Sequence, residues 1–283
     1  MKNLLIRHLF TILVLFSAVA GAHESHKVLA SVHPLALVAA SVADDLETLV
    51  PLSTTPHDFA LRPSDVSKIR AADVIVWGGA KSEPYLAKFA RRWPEKHWID
   101  VSALGKDRQS DNPHWWFNPE LMLQAQAELA AALGKSSQAF RQQLQQQLQS
   151  SREQLQPVSQ QSFFVFHSAY DHWVNYFGLK QAGAFTLSPE QKPGLRTLNK
   201  MRDQLAAGHV QCVFSEPQFS PALVTSVTRD LNVRIGELDP LGVHISVTKR
   251  GYADFVSDLT QRFVQCLSNN PRGSKGREMA DQD

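Results

Sequence analysis

The chain has 283 residues, 43% of them hydrophobic, which is enough to build one large domain or two lobes of ordinary size. Its formal net charge of only +2 excludes the strong basic excess of a typical nucleic-acid-binding protein or a basic membrane-binding face. We therefore expect no nucleic-acid partner.

The first 22 residues predict a cleavable secretory signal peptide. Lys2 and Arg7 precede an apolar run over Leu9–Ala20, and small residues up to Ala22 offer a cleavage site. The run is shorter than the roughly 20 residues that a transmembrane helix needs. Cleavage removes two basic residues and no acid, which brings the formal charge from +2 to zero. We therefore predict a soluble mature protein in the periplasm.

Short apolar strands alternate with helical patterns in the N-terminal half of the mature chain. Strands are predicted at 28–32, 48–50, 73–77 and 97–100, and helices at 35–43, 61–72 and 83–92. This alternation is typical of a parallel α/β sheet. We therefore predict an N-terminal α/β lobe over residues 23–118.

Residues 119–157 predict a helical connection. One helix covers 119–133, and a glutamine-rich helix follows over 136–157. Low-complexity disorder is the competing interpretation of the glutamines, but a narrow apolar stripe at intervals of four or seven argues against it. The stripe consists of Phe140, Leu144, Leu148 and Leu155. This segment therefore predicts a long helix that joins two lobes.

The strand and helix alternation resumes over residues 158–267. Strands are predicted at 162–166, 178–185, 211–215 and 232–238, and helices at 170–177, 195–207, 221–230 and 252–267. The polar tail over 268–283 is predicted to be disordered. The predicted fold class is therefore α/β, with two lobes that have mainly parallel sheets flanked by helices and that one long helix joins.

The chain contains two cysteines, Cys212 and Cys266. In an exported protein an even pair favours a disulfide. The alternative is two buried free thiols, because Cys212 lies in the apolar stretch 210–214. We favour the disulfide.

Three histidines lie where a hydrophobic run meets a turn or a helix start: His57, His114 and His167. Such positions carry ligand-binding groups in α/β proteins. Each is more than 50 residues from the next, so only tertiary structure brings them together. A lone histidine is more often a surface or core residue, but three imidazoles at one point suit zinc and leave one coordination position open.

Other polar residues are candidates for supporting roles at such a site. Asp239 ends a strand before a Pro-Leu-Gly turn and is a candidate fourth ligand, with turn capping as the alternative. Glu216 ends another strand and is a candidate acceptor for a metal-bound histidine or a contact between lobes. His33 and His244 are expected near the cleft, behind the ligands. A ligand set of three imidazoles and one carboxylate suits Zn²⁺ better than it suits a harder ion, which prefers more oxygen ligands.

Five short segments occur in a characteristic order, and three of them contain the histidines. They are Thr55–Val66, Pro113–Pro119, Phe164–Tyr170, Cys212–Phe219 and Leu238–Gly242. Together they resemble the zinc-binding proteins of bacterial ABC importers, the ZnuA type. The resemblance runs from about Val28 to Leu267.

The resemblance implies two α/β lobes joined by a rigid helix, with a metal in the cleft between them. It implies that His57 and His114 come from the N-terminal lobe, and His167 with Asp239 from the C-terminal lobe. It also implies a disulfide between the two cysteines. In manganese-binding relatives the third position is commonly Glu, so His167 favours zinc.

The chain departs from the family pattern at three places. Many relatives carry a long loop rich in histidine and acids before the second ligand, whereas Gly105–Asn112 is short and has no histidine. The residue after the third histidine is usually Asp and is Ser168 here. His23 and His26 lie near the predicted mature terminus, where a weak auxiliary metal site and a mobile terminus are both open interpretations.

The leading hypothesis is a monomeric periplasmic protein that captures Zn²⁺ and delivers it to an ABC permease, with release when docking parts the lobes. One alternative is a zinc hydrolase that uses a metal-bound water. No His-Glu-x-x-His motif accompanies the histidines, so we do not expect an enzyme. Further alternatives are a manganese- or iron-binding protein of the same fold and an adhesin on the same scaffold.

Overall fold

The computed structural model describes residues 26–105, 112–186 and 193–268. Two four-stranded parallel sheets, each flanked by helices, form two lobes, so the predicted fold class is confirmed. None of the described helices is long and apolar enough to cross a membrane. The predicted signal peptide, His23 and the tail beyond residue 268 lie outside the described residues.

The N-terminal lobe has the strand order β2-β1-β3-β4. Its elements are β1 (Lys27–Ala30), α1 (His33–Ala39), β2 (Asp45–Thr48), α2 (Pro63–Ala71), β3 (Val74–Trp77), α3 (Pro84–Arg92), β4 (His97–Asp100) and α4 (Val101–Leu104). The four residues of β3 are all buried, as expected for a central parallel strand that helices cover on both faces.

The connection consists of α5 (Pro119–Ala132) and α6 (Gln138–Leu155). The side chain of Asn118 caps α5 by accepting hydrogen bonds from the backbone of Glu120 and Leu121. Because α5 contacts β3, β4 and α1, it packs as part of the N-terminal lobe. The predicted apolar stripe of α6 is buried, and α6 leads from α5 to the first strand of the second sheet.

The C-terminal lobe has the strand order β6-β5-β7-β8, which is the same topology as that of the first lobe. Its elements are β5 (Ser162–His167), α7 (Asp171–Phe177), β6 (Lys180–Thr186), α8 (Leu195–Ala206), β7 (Cys212–Ser215), α9 (Ala222–Thr228), β8 (Arg234–Glu237) and α10 (Gly251–Leu267). All six residues of β5 are buried, and β5 pairs with both β6 and β7.

Some elements differ from the sequence-based expectation at their ends. The strand expected at 48–50 lies at Asp45–Thr48, because Leu49 and Val50 are buried just beyond the ladder and carry the apolar signal. The helix α4 and the 3₁₀ turns at Pro56–Asp58 and Trp115–Phe117 were not expected. Each is four residues or shorter, which is too short to show a helical period.

The two lobes share one continuous apolar core. The C-terminal helix α10 packs against α6 and also reaches α1 in the N-terminal lobe. Phe117, from the segment before α5, lies 4.9 Å from the ring of Tyr170 and 5.9 Å from that of Phe255, measured between ring centroids. A large apolar interface restricts relative motion of two lobes, so parting them requires the loss of packed contacts.

The two cysteines form the expected disulfide, which joins β7 to α10. Cys212 is fully buried at the start of β7, and Cys266 lies in the last turn of α10. The covalent link therefore ties a central strand of the second sheet to the helix that both lobes share.

A buried acid with a shifted pKa lies in the N-terminal lobe, away from the histidines. Glu83 precedes α3, is 4% exposed, and accepts a 2.9 Å hydrogen bond from the backbone N–H of Gly78. Burial raises the pKa of Glu83 from 4.5 to about 7, and the hydrogen bonds it accepts oppose only part of that rise. Glu83 therefore stabilises the fold in its protonated form.

This pKa predicts a loss of stability as the pH rises. The contribution of Glu83 is fully present below pH 4.5 and is lost as the pH rises through about 7. Between pH 5 and pH 8 we expect the ionisation of Glu83 to lower the free energy of unfolding of the metal-free protein by roughly 3 kcal/mol. In Glu83→Gln this part of the pH dependence should be absent. Urea unfolding at several pH values measures it. Glu95→Gln, at an exposed site, is the matched control, and parallel curves for Glu83→Gln and the wild type would contradict the assignment.

Candidate metal centre

The three predicted histidines converge between the lobes, beyond the carboxyl ends of parallel strands. His57 lies in the turn Pro56–Asp58 of the loop after β2, where the hydroxyl of Thr55 accepts a hydrogen bond from its backbone. His114 lies in the segment between α4 and α5, and His167 is the last residue of β5. Ligands bind at this edge of the sheet in α/β folds, which is the position that sequence reasoning gave to them.

The distances between the ring nitrogens match a zinc site. The Nε2 atoms of His57 and His114 are 3.3 Å apart, and those of His114 and His167 are 3.1 Å apart. One ligand atom from each ring lies within 4.8 Å of the other two. Tetrahedral zinc with bonds of about 2.0–2.1 Å holds two nitrogen ligands about 3.3 Å apart. The three rings are therefore at ligand spacing before any ion is considered.

Glu216 fixes the proton on His167. The Nδ1 atom of His167 lies 2.8 Å and 2.7 Å from the two carboxylate oxygens of Glu216, and both residues are buried. Burial raises the pKa of Glu216, and the hydrogen bond from His167 opposes the rise. Because the carboxylate accepts, Nδ1 of His167 carries a hydrogen, and Nε2 is the ring nitrogen that faces the other histidines. Glu216 therefore makes the histidine contact expected for it.

Asn112 fixes the proton on His114 in the same way. The amide nitrogen of Asn112 donates to the carbonyl of Ser168 and to Asp171 Oδ2, each at 2.8 Å. Both partners only accept, so the amide oxygen must be the atom that lies 2.7 Å from His114 Nδ1. His114 therefore donates from Nδ1 and presents a lone pair at Nε2.

The Nε2 atoms of His114 and His167 thus face each other across 3.1 Å. Burial lowers the pKa of His114 well below its ordinary value, and the neighbouring rings of His167 and His57 lower it further, so the ring of His114 is neutral. Neutral imidazole is the form that binds a metal. The two Nε2 atoms therefore lie as two ligands of one ion would.

The cavity between the rings has a volume of about 20 Å³, room for about one water molecule or ion. His114 and His167 are 4% and 2% exposed, whereas His57 is exposed. Trp116 closes one wall: its ring lies 5.2 Å from that of His114, and its Nε1 donates to the carbonyl of Pro240 in the other lobe. An ion would therefore enter from the side of His57.

Asp239 does not join the three histidines. Its Oδ1 accepts from Gln218 Nε2 at 2.7 Å and from the backbone of Leu241 at 3.0 Å, and its Oδ2 accepts from the backbone of Val243 at 2.7 Å. These bonds are those of the turn-capping alternative. A role of Asp239 as fourth ligand stays a prediction that requires some of them to break.

The other predicted histidines also lie outside the group of three. His33 begins α1, and its Nε2 atom lies 3.0 Å from the carbonyl oxygen of Ile245. Burial lowers the pKa of His33. His244 lies between two acids, 3.6 Å from Asp239 Oδ2 and 3.1 Å from Asp258 Oδ1. Both side chains therefore help to hold the loop that follows β8, and neither belongs to the group of three histidines.

Sequence reasoning missed three residues that surround His114. Asn112 and Asp171 form the hydrogen bonds given above, and His172 Nε2 lies 3.0 Å from the carbonyl of Asn112. Burial lowers the pKa of His172. The Asn-Pro-His order could have indicated the contact of Asn112 with His114, because an Asn side chain often forms a hydrogen bond with the backbone two residues later. Nothing local indicated Asp171 or His172.

Comparisons with known proteins agree with the geometry. A family model described as the periplasmic zinc-uptake complex component A, ZnuA, matches residues 28–266. The chain is 34% identical to the high-affinity zinc uptake system protein ZnuA of Yersinia pestis, over 86% of this chain and 92% of that protein.

Solved structures share the fold. The periplasmic zinc-binding protein TroA from Treponema pallidum superimposes with a TM-score of 0.74 at 18% identity, over 86% of this chain and 99% of that one. The laminin-binding protein Lmb of Streptococcus agalactiae, described as having adhesin and metal-transporting activity, gives 0.74 at 22% identity, over 86% and 100%. By its family match and its likeness to the Yersinia protein, the chain belongs to the ZnuA family of periplasmic zinc-uptake proteins.

Proposed function

We propose that this chain captures one Zn²⁺ in the periplasm with His57, His114 and His167 and delivers it to the membrane permease of an ABC importer. The observation that carries the proposal is the convergence of the three rings: Nε2 of His114 lies 3.3 Å from Nε2 of His57 and 3.1 Å from Nε2 of His167. This spacing is that of nitrogen ligands on one zinc ion, and the chain belongs to a family of periplasmic zinc-uptake proteins.

The donor set supports zinc over manganese. All three donors are imidazole nitrogens, and the carboxylates of Glu216 and Asp239 are engaged with His167 and with a turn. Imidazole suits zinc, whereas manganese prefers more oxygen ligands and binds a given nitrogen site more weakly. A water in the remaining position would complete a tetrahedral site.

The geometry also supports a carrier. His57 is exposed on the loop after β2, whereas the other two rings are buried. Loss of the His57 contact alone would leave the ion with two protein ligands and open to solvent. The signal peptide expected at residues 1–22 would bring the chain to the periplasm, where it would meet a permease.

Competitive titration of metal-free protein with Zn²⁺ and Mn²⁺ tests this function. We expect one zinc per chain, and a zinc affinity more than about 100-fold above that for manganese, from the order of stabilities for nitrogen ligands. His209→Ala, at an exposed site, should change neither value. Tighter binding of manganese would instead indicate a manganese-binding protein of this fold. Ester or peptide hydrolysis that a chelator abolishes would indicate the hydrolase.

A further inference from the structure

Asn112 connects the two lobes beside the metal centre. Its amide oxygen accepts from His114 Nδ1 at 2.7 Å and from the His114 backbone at 3.1 Å, on the side of the N-terminal lobe. Its amide nitrogen donates to Asp171 Oδ2 and to the carbonyl of Ser168, the residue that follows His167. One amide therefore touches a candidate ligand of one lobe and the turn that carries a candidate ligand of the other.

The C-terminal lobe holds this amide from the start of α7. Asp171 begins α7, and the hydroxyl of Ser168 lies 3.3 Å from each of its carboxylate oxygens. Gln181 on β6 donates to the same carboxylate at 3.5 Å.

We infer that Asn112, held by Asp171, is a positioning residue for zinc capture that aims Nε2 of His114 at the ion across the gap between the lobes. The inference rests on the proposed function and goes beyond it, because Asn112 and Asp171 are not ligands. An acceptor behind a metal-binding histidine selects its tautomer, orients its ring and raises its basicity.

This link also couples lobe movement to ligand orientation. If the lobes part at this point, Asn112 loses both acceptors in the C-terminal lobe and keeps its bonds to His114. Its amide oxygen is then held less firmly against Nδ1 of His114, so the direction of Nε2 is less well fixed. A small opening at Asn112 therefore weakens the hold of His114 on the metal as well as separating it from His167.

The test exchanges the two side chains. Asn112→Ala should weaken zinc binding by about 10- to 100-fold, as removal of such a partner typically does. Asn112→Asp should also weaken it, because two carboxylates would meet where the amide now donates at 2.8 Å. Asp171→Asn alone should have little effect, because the new amide still offers an oxygen to Asn112.

The decisive variant is Asn112→Asp combined with Asp171→Asn. In this double variant the new amide at position 171 donates to the new carboxylate at position 112, which still accepts from His114. Zinc affinity should therefore rise above that of Asn112→Asp without reaching that of the wild type, because the carboxylate at position 112 still faces the carbonyl of Ser168. A double variant that binds zinc no more tightly than Asn112→Asp would overturn the inference. Unchanged affinity in Asn112→Ala would also overturn it. Asn199→Asp, on the exposed face of α8, is the matched control.

Nitrogen-15 NMR of the histidines in metal-free protein provides an independent reading. The wild type should show His114 protonated at Nδ1, and Asn112→Ala should show a mixture of both tautomers. A wild-type His114 protonated at Nε2 would overturn the positioning role even if zinc binds. Failure of the wild type to bind zinc would defeat the proposed function instead. Far-UV circular dichroism verifies that each variant folds. If Asn112→Ala does not fold, the tautomer of His114 in the wild type tests the positioning role on its own.

Discussion

His167→Ala is expected to lower the affinity for zinc by more than about 100-fold, because removing even a partner behind a metal-bound histidine costs about 10- to 100-fold. His167 is 2% exposed, and β5 and Glu216 hold its ring. The freedom that this side chain would lose on binding an ion is therefore already lost during folding. Isothermal titration with a competing chelator measures the change.

The same reasoning ranks the other two histidines. His114→Ala should cost about as much as His167→Ala, since His114 is also buried and anchored. His57→Ala should cost less, because His57 lies on an exposed loop and loses more freedom on binding. Equal losses at all three positions would argue against an entry at His57, and wild-type affinity in His167→Ala would remove this residue from the site.

His167→Ala also removes the ring that donates to the buried Glu216. The double variant His167→Ala with Glu216→Gln separates this effect from metal binding, because the amide removes the buried charge. It should recover thermal stability lost in the single variant while its zinc affinity stays low. A recovery of affinity with stability would mean that the single variant binds zinc poorly only because it is misfolded.

Much of the fold could be predicted from the sequence, because both sheets are parallel and covered on both faces. Strands such as β3 and β5 are then short, fully apolar runs, and helices of two to four turns separate them. The positions of His57, His114 and His167 were predictable for the same reason, since loops after parallel strands meet at one edge. The alternation of strands and loops did not by itself show that the three rings come close enough to bind one ion.

The features of the fold and of the site that the sequence did not predict depend on contacts between residues that are distant in sequence. Asn112 and Asp171 are 59 positions apart, and their bond exists only because the lobes are packed together. The hydrogen bonds of Asp239 to its own turn depend on backbone angles that one Pro-Leu-Gly motif does not determine. The shared core of α10, α6 and α1 likewise follows from how the lobes dock, which the amphipathic pattern of each helix leaves open.

That shared core bears on how zinc would be released. The sequence predicts two lobes joined by one long helix, whereas in the structure the packed rings of Phe117, Tyr170 and Phe255 also join the lobes next to the site. A large opening would expose these rings to water and is therefore costly. Movement of the His57 loop and a small separation at Asn112 would weaken two of the three ligands while leaving the core packed.

The disulfide lies in the C-terminal lobe, at the opposite end of β7 from Glu216. It joins β7, whose carboxyl end leads directly to Glu216, to α10, which packs on α6. The neighbouring strand β8 has a glycine at this point: a Cβ on Gly236 would lie 2.8 Å from the ring of Phe214 and 3.0 Å from Cys266 Sγ. The packing around the bond therefore leaves no room for a side chain.

Removal of this disulfide is expected to destabilise the metal-free protein by about 4 kcal/mol, from the chain entropy of a loop of 54 residues. For a protein of this size such a loss lowers the melting temperature by about 8–16 °C. Calorimetry of Cys212→Ala with Cys266→Ala measures it, and wild type reduced with a phosphine is the control that keeps both sulfur atoms. Equal drops in the two samples would assign the loss to the covalent link, and a drop in the variant alone would assign it to packing. Oxidised and reduced wild type that melt together would contradict the prediction. Zinc affinity at 25 °C should stay within about tenfold of the wild type, because Glu216 keeps its bond to His167 as long as the lobe is folded.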